Sequence, residues 1–327
     1  MGYQVMLIGL DQIGASIGLA LANAEGDVKR LGYDAEKALA KAAHEAGAID
    51  EVISQPRRAI KDVDLLILSI PTSEVGVYLE SIGALLKEGA LVLDTGGIKS
   101  LAFEWAASYL PEGRHFIAAT PVVGPASLEQ APFEPGEPRG DLFQDGLLAI
   151  SISPETPENA LAVAINLAKL LGAQPFFIDQ DEQDAAIAAT DDLPALLSAA
   201  LLQASTRSSS WRELQRLARQ TFAFATQLVQ VRSPKQAHKR LVLNREKVLS
   251  KLDDVIEELS RLRLLLESDD TDTLEEYLDQ ADRSRFAWLD ARARSDWAAQ
   301  EMKSAKVTPE GGFFGNLFGI SPRKGKN

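Results

Sequence analysis

Apolar and polar positions along the first half of the chain predict strands and helices in regular alternation. Short, continuous apolar runs are typical of strands buried on both faces of a parallel sheet. The predicted strands are Gln4–Gly9, Val28–Tyr33, Asp64–Ile70, Ala90–Asp94, Phe116–Ala119, Leu147–Ile152 and Phe176–Ile178. Apolar helices such as Ala15–Ala24 lie between them. Residues 1–179 are therefore predicted to form a doubly wound α/β domain.

The pattern changes after Asp181, where apolar residues recur at helical spacing and no glycine occurs until Gly311. Pro194 is predicted to kink the first helix of this region. Long helices with broad apolar faces pack on one another or on a second chain. Residues 180–302 are therefore predicted to form an all-α helical dimerisation domain, and the protein a homodimer. The predicted helices are Ala185–Leu202, Trp211–Val231, Gln236–Glu267 and, as one or two more, Leu274–Ala299.

Two segments have neither helical nor strand periodicity. The segment 124–140 contains four prolines, and it is either a lid or binding loop or a variable surface excursion. The third predicted region, 303–327, is a flexible basic tail with several glycines and phenylalanines. It is either a disordered terminus or a hook for an unknown partner.

Composition narrows the function classes. The net charge of −13 argues against nucleic-acid binding, which needs a basic surface. The absence of cysteine excludes disulfides, thiolate metal sites and a cysteine nucleophile, and no metal site is predicted. We expect no membrane span, because no apolar stretch looks long enough, and therefore a cytoplasmic protein.

The first predicted strand leads into a phosphate-binding fingerprint. Gly9 and Gly14 stand at the first and last positions of a G-x-G-x-x-G motif in the strand–turn–helix context of a Rossmann-type domain. Asp11 replaces the middle glycine. Asp34 ends the second strand, where an acid binds the adenosine ribose and favours NAD over NADP. Asp34 has a second interpretation, as the cap of a helix that begins with Ala35.

Asp11 is open to two interpretations. Its side chain turns away and the dinucleotide fits, or its carboxylate accepts the backbone N–H groups of Gln12 to Gly14 and fills the pyrophosphate site. We favour the second, in which NAD binding is weakened by repulsion between two negative charges.

Several motifs occur in the order found in prephenate/arogenate dehydrogenases, and the chain resembles this family from residue 3 to about 290. The resemblance implies a dinucleotide domain, a helical dimerisation domain, and NAD-linked oxidative decarboxylation of a cyclohexadienyl pyruvate on the way to tyrosine. Pro71 and Gly96 then join Gly9, Asp11, Gly14 and Asp34 as predicted cofactor-binding residues. The matching motifs are Asp94–Lys99, Phe116–Pro121, Asp141–Phe143, Asp181–Asp184, Leu193-Pro194 and Asn244–Glu246.

The chain departs from the family pattern at positions where the resemblance predicts residues for substrate binding and proton transfer. Thr120 stands where the resemblance expects the histidine that takes a hydrogen bond from the substrate ring hydroxyl. Further polar or charged family residues are replaced by Gly97, Gln183, Asp191, Asp192, Ala195, Ala223 and Gln227. Prephenate is a dianion, so lost arginines remove its best binding groups and new aspartates repel it.

Three function hypotheses follow. The chain is a dehydrogenase of changed substrate that uses Lys99, Thr120 and the aspartates at 191 and 192; Lys99, Thr120 and Asp192 are its predicted catalytic residues. Alternatively it is a non-catalytic paralogue that acts as a dimeric binding or assembly module, or it is a working prephenate dehydrogenase with substituted residues. Lys99 is able to polarise a carbonyl or donate a proton, and a buried structural lysine is the alternative.

Overall fold

We describe the fold from a computed structural model of the chain. It describes residues 2–24, 26–128, 137–230, 234–268 and 271–294. The predicted tail 303–327 lies outside them, as does much of the predicted loop 124–140. The chain divides between Gln183 and Asp184 into two compact units, here called the nucleotide-fold unit and the helical unit.

The nucleotide-fold unit is built on one eight-stranded sheet. Its strand order is 3-2-1-4-5-6-7-8, and the first six strands are parallel, as in a dinucleotide-binding fold. The Rossmann-type, doubly wound fold is thus confirmed. The strands are β1 (Tyr3–Ile8), β2 (Val28–Tyr33), β3 (Glu51–Val52), β4 (Leu65–Leu68), β5 (Leu91–Asp94), β6 (His115–Val122), β7 (Leu147–Ser151) and β8 (Gln174–Phe177).

Helices cover both faces of this sheet, which explains the continuous apolar runs of its strands. Successive residues of β1 belong to opposite cores: Val5 and Leu7 pack on one face, Met6 and Ile8 on the other. The described helices of the unit are α1 (Gln12–Leu21), α2 (Lys37–Glu45), α3 (Pro56–Ala59), α4 (Thr72–Ile82), α5 (Lys99–Tyr109), α6 (Pro125–Leu128), α7 (Glu158–Leu170) and the start of α8 (Gln180–Ile187).

The last strands differ from a uniform parallel sheet. Strand β7 pairs antiparallel with β6, and this pairing runs from Ala118 to Val122. Strand β6 is therefore longer than the predicted Phe116–Ala119. For β7 to run parallel to β6, the chain would need a crossover of a dozen or more residues, which is usually helical. The described part of the connection between β6 and β7 contains only one helix, the four-residue α6.

The other strand and helix bounds also need correction. Strand β4 is shorter than predicted, β8 begins before the predicted Phe176, and α1 spans Gln12–Leu21 rather than Ala15–Ala24. The early start of α1 follows from its cap, because the Asp11 side chain accepts N–H groups of the first turn.

The helical unit confirms the all-α prediction, but its helices are more interrupted than predicted. The segment Trp211–Val231 is not one helix, and Gln236–Glu267 breaks at Asn244, whose buried side chain donates to the Asp184 carbonyl at 3.0 Å. The helices are the rest of α8, α9 (Leu193–Thr206), α10 (Trp211–Leu217), α11 (Gln220–Thr226), α12 (Pro234–Leu243), α13 (Arg245–Glu267) and α14 (Thr271–Arg294).

The chain stays helical around Pro194, where a kink was predicted. A π-helical turn, Ala188–Asp192, joins α8 to α9 immediately before Leu193 and Pro194. Proline lacks an N–H group and its ring clashes with the carbonyl four residues earlier. A wider turn is a common way for a helix to absorb such a local mismatch.

The structure corrects one premise of the membrane expectation, namely that no apolar stretch is long enough to span a bilayer. The helical stretch Gln180–Thr206 has 27 residues and is long and apolar enough, by length and composition, to cross a bilayer. A helix that packs on other protein surfaces satisfies the same test, and α9 contacts α11 within its unit.

Candidate active site and its hydrogen-bond network

The turn after β1 has the geometry of a dinucleotide-binding loop. Gly9 has φ +91°, which favours glycine, and its N–H donates to the Tyr33 carbonyl at 2.9 Å. A side chain on Gly9 would collide with the Ser69 carbonyl, and one on Gly14 would collide with Gly9. These close backbone approaches explain why glycine occupies both positions of the fingerprint.

The Asp11 carboxylate caps the first helix. Its Oδ1 accepts the N–H groups of Ile13 at 3.1 Å and Gly14 at 3.2 Å. The donors are thus these two residues rather than the predicted run from Gln12, because an N-cap side chain reaches the second and third helical N–H groups. The same N–H groups are those that a helix N-terminus offers to a phosphate.

The surroundings of Asp11 disfavour the ionised form of its carboxyl group. Loss of water around the carboxylate raises the pKa of Asp11 above its usual value, and the two N–H bonds only partly oppose this. The negative charge of Asp34 adds to the rise. A second anion at this loop would therefore meet the negative charge of Asp11, a residue that keeps exposed surface.

Asp34 joins the glycine loop to the end of β2. Its Oδ2 accepts the N–H of Leu10 and its Oδ1 accepts the N–H of Glu36, both at 2.7 Å. Helix α2 begins at Lys37, not at Ala35, and its N-cap is Glu36, so the predicted helix cap by Asp34 is wrong. Each carboxylate oxygen can accept a second hydrogen bond, and Asp34 keeps the capacity to bind ribose hydroxyls.

The remaining predicted cofactor residues lie at the same edge of the sheet. Pro71 is the exposed residue that precedes α4, just after β4. Gly96 follows β5, and its N–H donates to Asp94 Oδ1 at 3.0 Å. The carboxyl ends of parallel strands share one edge, where ligands of such folds bind.

Lys99 is buried rather than presented to a ligand. Its ammonium donates to Asp94 Oδ2 at 2.9 Å and to the Asp94 carbonyl at 3.1 Å, and both side chains are almost wholly inaccessible. A group without exposed surface does not touch a substrate in this conformation. The geometry supports the structural interpretation of Lys99, as the countercharge of Asp94.

Thr120 is engaged in a chain of hydrogen bonds. Its Oγ1 donates to the Gly96 carbonyl at 3.0 Å and accepts from Gln183 Nε2 at 2.9 Å. Ser151 Oγ lies 2.9 Å from Gln183 Oε1 and 2.8 Å from the Ile178 carbonyl. We refer to Thr120, Gln183 and Ser151 as the threonine–glutamine chain.

Two members of this chain were absent from the predicted site. Ser151 carries no sequence signal beyond being polar in an apolar strand. Gln183 carries a sequence signal, because both Thr120 and Gln183 stand where the resemblance predicts histidines. The nearest histidine in sequence, His115, begins β6 and lies toward the opposite end of that strand from Thr120.

Asp192 lies in the helical unit and pairs with an arginine that sequence analysis did not single out. Arg240 places Nε 2.7 Å from Asp192 Oδ1 and Nη2 3.0 Å from Asp191 Oδ2. Asp192 is buried, whereas half of the Asp191 side chain is exposed. These three residues help to line a cavity of about 420 Å³ between α9, α12 and the residues that follow α11, and they form its polar end.

Ala223 and Gln227, where the resemblance predicts arginines, lie near the end of α11. Ala223 is exposed on α11, and Gln227 begins the short 3-10 turn Gln227–Gln230. Leu228 and Val229 of this turn line the cavity. Neither Ala223 nor Gln227 offers a guanidinium group to a dianionic ligand.

Comparison with protein families divides the chain in the same way as its fold. Residues 17–176 match the family model "Prephenate dehydrogenase, nucleotide-binding domain". Residues 179–280 match the model "Prephenate dehydrogenase, dimerization domain".

Individual relatives agree with the family models. The chain is 24% identical over 279 residues to the prephenate dehydrogenase of Bacillus subtilis, covering 85% of this chain and 74% of that protein. It is 25% identical over 289 residues to the cyclohexadienyl dehydrogenase of Zymomonas mobilis, covering 86% and 95%.

Solved structures share the fold. The prephenate dehydrogenase from A. aeolicus in complex with hydroxyphenyl propionate and NAD+ superposes with a TM-score of 0.77 at 19% identity, covering 87% of this chain and 98% of that one. Synechocystis arogenate dehydrogenase gives a TM-score of 0.70 at 22% identity, covering 87% and 99%.

Proposed function

The chain belongs to the prephenate dehydrogenase family, and we propose that it is a member that has lost prephenate and arogenate turnover and acts as a dimeric binding module. The observation that carries this proposal is the threonine–glutamine chain. At this position, where the resemblance predicts a histidine, the Thr120 hydroxyl donates a hydrogen bond to the Gly96 carbonyl and accepts one from Gln183. An alcohol in this arrangement does not titrate near neutral pH and is a poor proton acceptor.

The residues fit NAD only in part. The glycine turn at Gly9 and the Asp34 carboxylate suit the adenosine half of a dinucleotide. Asp11 opposes the pyrophosphate, since two unit charges 4 Å apart repel by about 4 kcal/mol at an effective dielectric of 20. When bound in a family enzyme, NAD supplies the hydride acceptor, which here would be held weakly. We infer that NAD binds with low affinity.

Replacing Asp11 tests this inference. We expect Asp11→Gly to strengthen NAD binding by about tenfold or more, roughly 1.4 kcal/mol, because the substitution removes the charge and reopens close backbone approach. Asp11→Asn is the matched variant, because asparagine keeps the N-cap and removes only the charge. The measurement is a calorimetric titration of each purified protein with NAD and with NADH.

The pH dependence supplies the control. Because the pKa of Asp11 is raised, the carboxyl becomes neutral at a higher pH than an ordinary aspartate, and wild-type affinity should rise as the pH falls toward that range. This part of the pH dependence should vanish in Asp11→Asn. Micromolar affinity in the wild type that neither substitution changes would contradict the inference.

We also propose that the protein is a homodimer held by the helical unit. Leucine and isoleucine residues recur along α13 at spacings of three, four or seven, which is typical of a coiled-coil seam. At least half of each of four such side chains is exposed in the single chain. The exposed residues of this seam are Leu249, Ile256, Leu259 and Leu266.

A charge in the seam should separate the two copies. We expect the wild type to sediment as a dimer at micromolar concentration and Ile256→Lys to sediment as a monomer. Val77→Lys, an equally drastic change at an exposed site of α4, should leave the dimer intact. A monomeric wild type would overturn the proposal.

A dehydrogenase of changed substrate is the second candidate function. The observation that favours it is Asp34, which keeps a position suited to ribose although several positions of the family's catalytic pattern, Thr120 among them, are substituted. We propose a cytoplasmic location in either case. Discovery of a substrate-dependent NADH signal with a neutral or cationic compound would favour this candidate.

A further inference from the structure

The cavity of the helical unit has one polar end and otherwise apolar walls. Its walls include Leu196, Leu228, Val229 and Leu241, and its volume of about 420 Å³ falls in the range of small-molecule sites. All of the lining residues belong to one compact unit. The cavity is therefore a feature of the helical unit itself.

The polar end of the cavity is unsuited to an anion. Two nitrogens of the Arg240 guanidinium already face carboxylates, Nε that of Asp192 and Nη2 that of Asp191. A carboxylate ligand would have to compete with both aspartates for this group. Among the described lining residues, two negative side chains meet a single positive one.

We propose that this cavity binds a small molecule with an apolar body and one cationic group, with the cation next to Asp191. Asp191 lines the cavity and half of its side chain is exposed, so an ammonium group can approach it. The apolar body would be buried against the leucine-rich walls, and burial of apolar surface away from water favours binding. Charge and shape thus favour the opposite class of ligand from the dianion of the family reaction.

This inference rests on the proposed function, because it names the ligand class of the binding module. It does not depend on NAD, since the cavity and the glycine loop lie in different units. Direct binding therefore separates the two proposals: failure of a probe to bind the cavity leaves the effect of Asp11→Gly on NAD unchanged.

Three probes of equal length test the ligand class. We expect the full-length protein to bind 4-phenylbutylammonium at least tenfold more tightly than 4-phenylbutyrate, with 4-phenylbutanol between them, in calorimetric or NMR titrations. Equal binding of the cation and the carboxylate, or no binding of the cation, would overturn the proposal. A second copy of the chain that fills the cavity would produce the latter outcome.

Two variants locate the site. Asp191→Asn should lower the preference for the ammonium probe by about tenfold, whereas Asp62→Asn, which removes the same charge from an exposed site of the nucleotide-fold unit, should not. Ala199→Phe should fill the cavity and abolish binding of both the ammonium and the alcohol. If neither Asp191→Asn nor a folded Ala199→Phe changes binding, the probe lies elsewhere and the proposal fails.

Discussion

Protein incubated with NAD and either prephenate or arogenate is expected to form no NADH above background. Positioned acid–base groups contribute about 10²- to 10⁴-fold to such reactions. Here the Thr120 hydroxyl is committed to Gly96 and Gln183, and Lys99 is buried against Asp94. No arginine stands at position 223 or 227 to hold the dianion. Absorbance of NADH, followed at high protein concentration, measures the result.

The assay needs a working relative beside it. The prephenate dehydrogenase of Bacillus subtilis, which is similar to this chain, is a suitable positive control. Weak binding of NAD would by itself lower the rate of NADH formation, so Asp11→Gly should be assayed as well. We expect this variant also to form no NADH above background. NADH formation proportional to protein in either form would show that the threonine–glutamine chain does not prevent the reaction.

The second large effect is on stability. Removing one partner of a buried ion pair costs roughly 3–5 kcal/mol, because the other charge stays buried without compensation. We expect Lys99→Met to lower the free energy of unfolding by about this amount, since Asp94 lies beside it and is almost wholly buried. Denaturant unfolding followed by circular dichroism measures the change.

A double variant shows whether the pair is the cause. Asp94→Asn combined with Lys99→Met removes both charges, keeps an acceptor for the Gly96 N–H, and should recover most of the lost stability. Lys41→Ala, at a largely exposed lysine, should change the unfolding free energy by no more than about 0.5 kcal/mol. If Lys99→Met is as stable as the wild type, Lys99 is not the countercharge of Asp94, and a role toward a ligand regains support.

Features that depend on near neighbours in the chain were predictable from the sequence. The apolar runs of β1, β4 and β5 identify buried parallel strands because burial on both faces leaves no polar alternation. The Asp11 cap was predictable because an N-cap side chain reaches only the N–H groups two and three residues ahead. The glycine turn followed from the same local steric rules.

Features that depend on distant partners needed the tertiary structure. Gln183 reaches Thr120 across 63 residues of sequence, and Arg240 reaches Asp191 across 49. The antiparallel β7 and the break at Asn244 likewise depend on what each segment packs against, a neighbouring strand and the Asp184 carbonyl.

Lys99 lies between these two cases. Its partner Asp94 is only five residues away, so their proximity was visible in the sequence, but their loss of all contact with water was not. The sequence by itself determined the doubly wound sheet, the helical second half, the glycine turn and the acid that caps it, because these follow from periodicity and local sterics. The tertiary structure alone decided which polar groups pair with one another through hydrogen bonds or ion pairs, because burial and hydrogen-bond partners are properties of the packed chain.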